Sequence, residues 1–203
     1  MKKTCYEIKS ITKGTAERFL MQHHHLAEQG NSTPSGPRYY GLFFESQIIG
    51  VTIFATMSSQ NTAKGCFGLD DTTQQGFYEI GRFAVDPDFD NDGCSTWFLA
   101  ECVERFRREF TVRALFVYNA PDLEDGTPFL ENEFTCYGLT PKRTDFYEEM
   151  EDGSFRKCSR GKPQGVKGEW RPRPRKQRLL RTYDKSLTTR WIKTEYPVAP
   201  PTP

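Results

Sequence analysis

The sequence predicts a domain of the α/β (α+β) class, with a mixed central sheet flanked by helices and a basic C-terminal extension. Three observations lead there. Runs with strand character alternate with helical periodicity in the order strand, helix, hairpin, strand, helix, strand, short helix, strand. The 203 residues, 36% apolar and 14% aromatic, are enough for one well-packed domain plus a tail and too few for two ordinary domains. The charges balance in total, 28 basic against 27 acidic, but are segregated along the chain. Residues 153–203 hold 14 Lys and Arg against Glu169, Asp184 and Glu195, a net of +11, while residues 1–152 carry a net of −10. Such asymmetry marks a basic arm that meets a polyanion. We therefore expect a domain over residues 1–152 and a nucleic-acid-binding extension over residues 153–203, partly folded onto it.

Each element has its own signal. Residues 5–11 form an opening strand, and residues 12–29 read as a helix, with Ala16, Phe19, Leu20 and His23 or His24 at three- and four-residue spacing. Two prolines and two glycines make residues 30–37 a loop. The β-rich runs 39–44 and 48–54, joined by a short polar turn, form a hairpin. Residues 58–75 are polar and rich in Gly and Thr, an excursion on the surface. A strand over residues 77–85 stops at Asp86-Pro87, where proline ends the ladder. Ser95 then caps a helix over residues 96–109 whose apolar stripe is Phe98, Cys102, Val103 and Phe106. Residues 113–118 are almost uniformly apolar, as in a central strand covered on both faces. A short helix at 129–134, a strand at 135–139 and an acidic turn at 148–153 complete the domain.

Several classes are excluded. No stretch approaches the roughly 18 apolar residues needed to cross a bilayer, and no apolar segment follows the basic N-terminus as in a secretory signal. Six cysteines without a CxxC pair suit reduced, mostly buried thiols in a cytosolic protein.

The segment Ile80-Gly81-Arg82-Phe83-Ala84-Val85-Asp86-Pro87, followed by residues 91–99, resembles the GNAT acyltransferase fold. In that fold such a strand splays open and the next loop wraps the pyrophosphate of acetyl-CoA with amides at a helix N-terminus. The resemblance assigns cofactor contacts to Val85, Asn91, Gly93, Cys94 and Ser95. Asp88, Asp90 and Asp92 surround that place, and like charge there disfavours ordinary CoA binding.

A closer similarity is to the Mom family of bacteriophage DNA-modification proteins, a GNAT-derived group. It is carried by His24-His25, Glu79-Ile80-Gly81-Arg82, Asn91 with Ser95, Val117-Tyr118, and the end Arg178-Leu179-Leu180-Arg181 with Trp191-Ile192-Lys193. This resemblance implies a GNAT-like catalytic domain that converts the N6 amine of adenine in DNA to a carbamoylmethyl form. It also implies an iron requirement, a small acyl or other donor, and a place in the host bacterial cytoplasm, where the modification hides phage DNA from restriction. The family's Y-A-D and G-H-x-G elements are not matched after the central strand, where the chain reads Tyr118-Asn119-Ala120-Pro121-Asp122; product and metal stay open. An acetyl-CoA-dependent N-acetyltransferase and a non-catalytic DNA-binding protein on the same scaffold are the alternatives.

The candidate chemistry follows. Glu79, desolvated in a cleft, suits a general base on an exocyclic amine, or pairs with Arg82. Arg82 can hold a donor's phosphate or carboxylate in a two-pronged contact. Tyr118, or Tyr137, can give a proton to a leaving group. Ser95 caps a helix that presents amides to a ligand, and Cys94 beside it gains nucleophilicity if the helix N-terminus lowers its thiol pKa. His25 could join Glu79 and Asp122 in a carboxylate/imidazole iron site. In the tail, Trp170, Arg171, Arg173, Arg175, Lys176, Arg178 and Arg181 alternate in part with proline, stay extended and can track a phosphate backbone, while Trp170 and Trp191 can stack on bases.

Overall fold

The computed structural model describes residues 6–24, 33–59, 61–69, 75–90, 93–121, 126–158 and 162–193. Strand β1 (Tyr6–Ser10) leads to helix α1 (Lys13–His23), then to the hairpin of β2 (Arg38–Phe44) and β3 (Gln47–Thr56). Helix α2 (Asn61–Phe67) precedes β4 (Phe77–Val85), and α3 (Cys94–Glu109) precedes β5 (Ala114–Asn119). The chain continues through α4 (Thr127–Glu131), β6 (Thr135–Leu139), β7 (Thr144–Glu149), β8 (Phe155–Lys157), β9 (Gly168–Pro172) and β10 (Gln177–Thr182).

One sheet has seven strands in the order β1-β2-β3-β4-β5-β10-β6, and a second has three in the order β8-β7-β9. The hairpin turns at Glu45 and Ser46, both at positive φ (45° and 74°), the backbone twist that matches the twist of paired strands. In the large sheet β4 and β5 run parallel and the other neighbouring pairs antiparallel, the mixed arrangement expected.

Alternation along β5 explains its uniform apolarity. Leu115 and Val117 pack with α3, through Phe98, Leu99, Cys102, Val103 and Phe106, while Ala114 and Phe116 pack with Ala63, Cys66 and Phe67 of α2. Helix α1 covers Val51, Ile53 and Ala84 with Ala16, Phe19 and Leu20. At the heart of the α3 layer Phe54 stacks on Phe106 with centroids 4.2 Å apart. Truncating a buried phenylalanine of this kind costs about 3–5 kcal/mol.

Three expectations are corrected and a fourth is made specific. Helix α1 ends at His23, and His24 is extended (φ −126°, ψ 127°) and nearly buried; three consecutive imidazoles end the apolar stripe, and residues 25–29 of the predicted helix lie outside the described residues. The surface excursion contains α2, anchored by Ala63, Cys66 and Phe67. Helix α3 starts at Cys94 after Gly93 (φ 73°), so Ser95 lies inside its first turn and is no cap. The basic segment, expected as an extension partly folded onto the domain, supplies β9 and β10. Its Leu179 and Leu180 are buried on opposite faces, and β10 lies between β5 and β6, so the sheet does not divide at residue 152.

The small sheet is tied together by Asp145, which is 8% exposed. Arg173 grips its carboxylate with two nitrogens and Lys157 Nζ approaches Oδ2 at 2.7 Å. The hydrogen bond from Arg173, followed by that from Lys157, lowers the Asp145 pKa to about 2. Because the folded value lies below the unfolded one, the stability it contributes is complete above about pH 4 and is lost as pH falls through about 2. Asp145→Asn should therefore cost about 1–3 kcal/mol at pH 6 in denaturant melts, and the gap to wild type should shrink steadily between pH 4 and pH 2. A gap independent of pH would contradict the assignment.

Candidate functional site

The site begins with a failure of pairing. The ladder between β4 and β5 joins Phe77, Tyr78 and Glu79 to Ala114, Leu115 and Phe116, and stops there although both strands continue. On its other edge β4 slips register against β3, from Ile53 opposite Arg82 to Phe54 opposite Ile80, which leaves Gly81 as an extra residue. A bulge bends its strand and increases its twist. A Cβ at Gly81 would stand 2.8 Å from Cγ of Pro34, so any side chain here must push Pro34 aside.

The strands splay around an open cleft. Ile80, Phe83, Val117 and Phe129 supply apolar walls, and His24, Glu79, Arg82, Tyr118, Asn119 and Lys176 the polar groups. Phe83 meets Phe129 edge to face at 5.5 Å.

The acid–base groups are held from α2 and the turn before it. Ser58 donates to Glu79 Oε2 twice, from its backbone N–H at 3.3 Å and from Oγ at 2.8 Å. The Tyr118 hydroxyl is hydrogen-bonded to the Thr62 side chain; burial raises its pKa, and the nearby Glu79 carboxylate adds to that. A phenol so placed is protonated at neutral pH and able to donate. Arg82 Nη1 donates to the Gly81 carbonyl at 2.6 Å, bending the guanidinium over the bulge. Asn119 is 1% exposed; its Nδ2 donates to Gln177 Oε1 at 3.0 Å, and its buried Oδ1 has no partner among the described residues.

Three of the sequence-derived catalytic candidates, Glu79, Arg82 and Tyr118, thus share one cleft, and Ser95 does not line it. The cofactor candidates Val85, Gly93, Cys94 and Ser95 lie on the strand end and the start of α3, while Asn91 lies outside the described residues. The Ser95 N–H is already satisfied by Asp90 Oδ1 at 3.0 Å, so a carboxylate of the chain itself stands where an anion would bind the first turn. Cys94 is buried, and its thiol pKa is pushed up to about 11 by that burial and by Asp90, the opposite of an activated nucleophile. One amide of the first turn is thus occupied from within the chain, and residues 91–92 of the loop lie outside the described residues.

The iron expectation meets a similar limit. Among the described residues no three His, Cys, Asp or Glu side chains are grouped to hold a metal. His25 and Asp122 lie outside the described residues, His24 and Glu79 share the cleft, and His23 stacks on Phe19. Of the expected donors only Glu79 lies among the described residues, and no step is derived through a metal.

The arginines of the extension are engaged within the fold. Arg171 pairs with Glu169 and lies over Phe155. Arg173 holds Asp145, and Arg175 donates to the Thr140 carbonyl. Arg178 donates to the Tyr137 carbonyl and lies over Trp191; Arg181 pairs with Glu133. Trp191 is half-buried and packs on Phe116 at 5.8 Å at the edge of a core cluster, whereas Trp170 is 54% exposed. Sequence reasoning missed Ser58 and Thr62 because nothing local marks them: long-range folding brings them to Glu79 and Tyr118. His24, one of the residues that carry the family resemblance, does line the cleft.

The self-capped start of α3 makes a direct prediction. The wild-type protein should give no saturable heat when titrated with coenzyme A, and Asp90→Ala should lose about 1 kcal/mol of stability in denaturant melts. Saturable binding at micromolar coenzyme A would show that Asp90 yields to a phosphate.

The comparisons with known proteins fit this geometry. The sequence model described as the Mom protein family matches residues 5–159. No curated protein matches the chain. Among solved structures, an acetyl transferase from Salmonella typhimurium that modifies the N-terminal serine of a 50S ribosomal subunit protein is 14% identical, with 89% of this chain and 96% of that chain covered and a TM-score of 0.51. An IAA acetyltransferase from Bacillus cereus is 14% identical (87% and 99% covered, TM-score 0.49). A GNAT family acetyltransferase from Elizabethkingia anophelis with acetyl-CoA bound is 15% identical (89% and 99% covered, TM-score 0.48). The likeness to the Salmonella protein identifies the fold as GNAT-like. Since the family match runs from the opening strand through the splayed pair and into the small sheet, the chain belongs to the Mom protein family.

Proposed function

We propose that this protein is a phage-type DNA-modifying transferase that adds a small acyl or carbamoylmethyl-type group to the N6 amine of adenine, received in the cleft between β4 and β5. The observation that carries the reading is the convergence of Glu79, Arg82 and Tyr118 where the two strands part, in a chain of the Mom family. An adenine in a duplex is stacked, so its amine reaches such a cleft only when the base is extruded.

In the proposed step the N6 nitrogen forms a bond to the electrophilic carbon of an activated donor. Glu79 accepts the proton that N6 loses, with its carboxylate oriented by Ser58. The bond between that carbon and the leaving group breaks, the electron pair departs with the leaving group, and Tyr118 passes it a proton. Tyr118 is suited to donate because burial keeps its phenol protonated. Arg82 and Lys176 supply positive charge for an anionic part of donor or target. A donor of the coenzyme A type would have to displace Asp90 from the Ser95 amide in the first turn of α3. The basic extension contributes affinity for the DNA backbone, and Trp170 offers an exposed aromatic face for stacking. The setting proposed for this activity is the cytoplasm of a host bacterium, with protection from restriction as its use.

Expression in a bacterium followed by mass spectrometry of digested DNA nucleosides tests the proposal. Wild type should add a new adenine-derived mass, and Glu79→Gln should cut the modified fraction by about 100-fold or more, the usual weight of a general base. An unchanged nucleoside profile from soluble, iron-supplied wild type would contradict it.

A further inference from the structure

Lys176 belongs to the cleft, and the chain around it is built in an unusual way. Two short segments, residues 140–143 and 173–176, run antiparallel beside each other between the large and the small sheet. Four hydrogen bonds clamp them: Thr140 N to Lys176 O at 2.7 Å, Lys176 N to Thr140 Oγ1 at 3.0 Å, Arg175 Nε to Thr140 O at 2.8 Å, and Arg173 N to Arg143 O at 2.8 Å. Their eight residues contain Lys142, Arg143, Arg173, Arg175 and Lys176 and not one acid. Pro141 and Pro174 add stiffness, fixing φ at one position in each segment.

The clamp turns two stretches far apart in sequence into one rigid cationic knuckle whose one end, Lys176, lines the cleft. Arg173 is neutralised by Asp145, and Arg175 is partly occupied by a carbonyl. Lys142 and Arg143 are exposed and have no acidic partner among the described residues. Fixing like charges beside each other costs free energy unless a polyanion relieves it.

We propose that this knuckle, with Lys142 and Arg143 as its outward contacts, is where the phosphodiester backbone of the DNA substrate crosses the protein beside the cleft. The inference rests on the DNA-modifying reading and adds to it a docking surface drawn partly from outside the basic extension. Backbone contacts of this kind set position and orientation without reading sequence.

The test is binding of the full-length protein to a fluorescein-labelled 20-base-pair duplex by anisotropy, across a range of salt. The double variant Lys142→Gln/Arg143→Gln should weaken binding about tenfold at low salt and lower the slope of log affinity against log salt by about 2, one for each phosphate that is no longer neutralised. Both residues are exposed, and an unchanged melting temperature checks that the fold is intact. A control with the same change of charge, Lys9→Gln/Lys13→Gln, at the β1 end of the sheet, should leave the slope unaltered. Wild-type binding with no effect of the knuckle variant, or an equal effect of the control, would overturn the knuckle while leaving the DNA reading intact. Wild type that ignores the duplex at low salt would overturn both.

Discussion

The structure depends on the point at which β4 and β5 stop pairing. Parallel strands exchange regularly spaced hydrogen bonds, and giving them up in the middle of a sheet requires other partners for the backbone and a reason to diverge. The reason lies on the other edge of β4, where the extra residue at Gly81 bends the strand away. On the far side β5 is held straight by β10, paired along its whole length from Ala114 to Asn119. One strand is deflected and its neighbour is splinted, so the gap between them is a built feature of the sheet. The groups that can do chemistry are those that the divergence leaves facing one another.

This arrangement gives the basic region a different role from the one its composition suggests. Much of its positive charge is engaged within the fold, on Asp145, Glu133, Glu169 and backbone carbonyls, and its apolar pair Leu179-Leu180 splints β5. The segment closes the sheet first. What it offers a polyanion is set by which cations remain outward once those internal pairs are made, and these include two residues, Lys142 and Arg143, that precede it in the chain.

The legible part of the fold was the part with local signals. The hairpin, β4 with its stop at Asp86-Pro87, and the apolar stripe of α3 could be read because two-residue and 3.6-residue periodicities are properties of neighbours in sequence. The course of β10 was hidden by its arginines, whose long side chains lie along the sheet surface and reach partners at its edges, so a charged strand occupies an interior position. The start of α3 misled in a similar way: Ser95 has the chemistry of a cap, but a carboxylate five residues earlier took its amide and glycine took the turn. Within the site, Glu79, Arg82 and Tyr118 were accessible because they sit at strand positions that the family resemblance marks. Ser58 and Thr62 were not, since their role exists only once α2 folds back across the sheet.

The central claim is that a base leaves the helix stack and enters the gap between β4 and β5. The most direct measurement places 2-aminopurine at an adenine position of a duplex and follows its fluorescence as protein is added. Extrusion predicts a saturable rise in emission as the base loses its stacked neighbours. Binding with the probe still quenched as in free duplex would contradict the account.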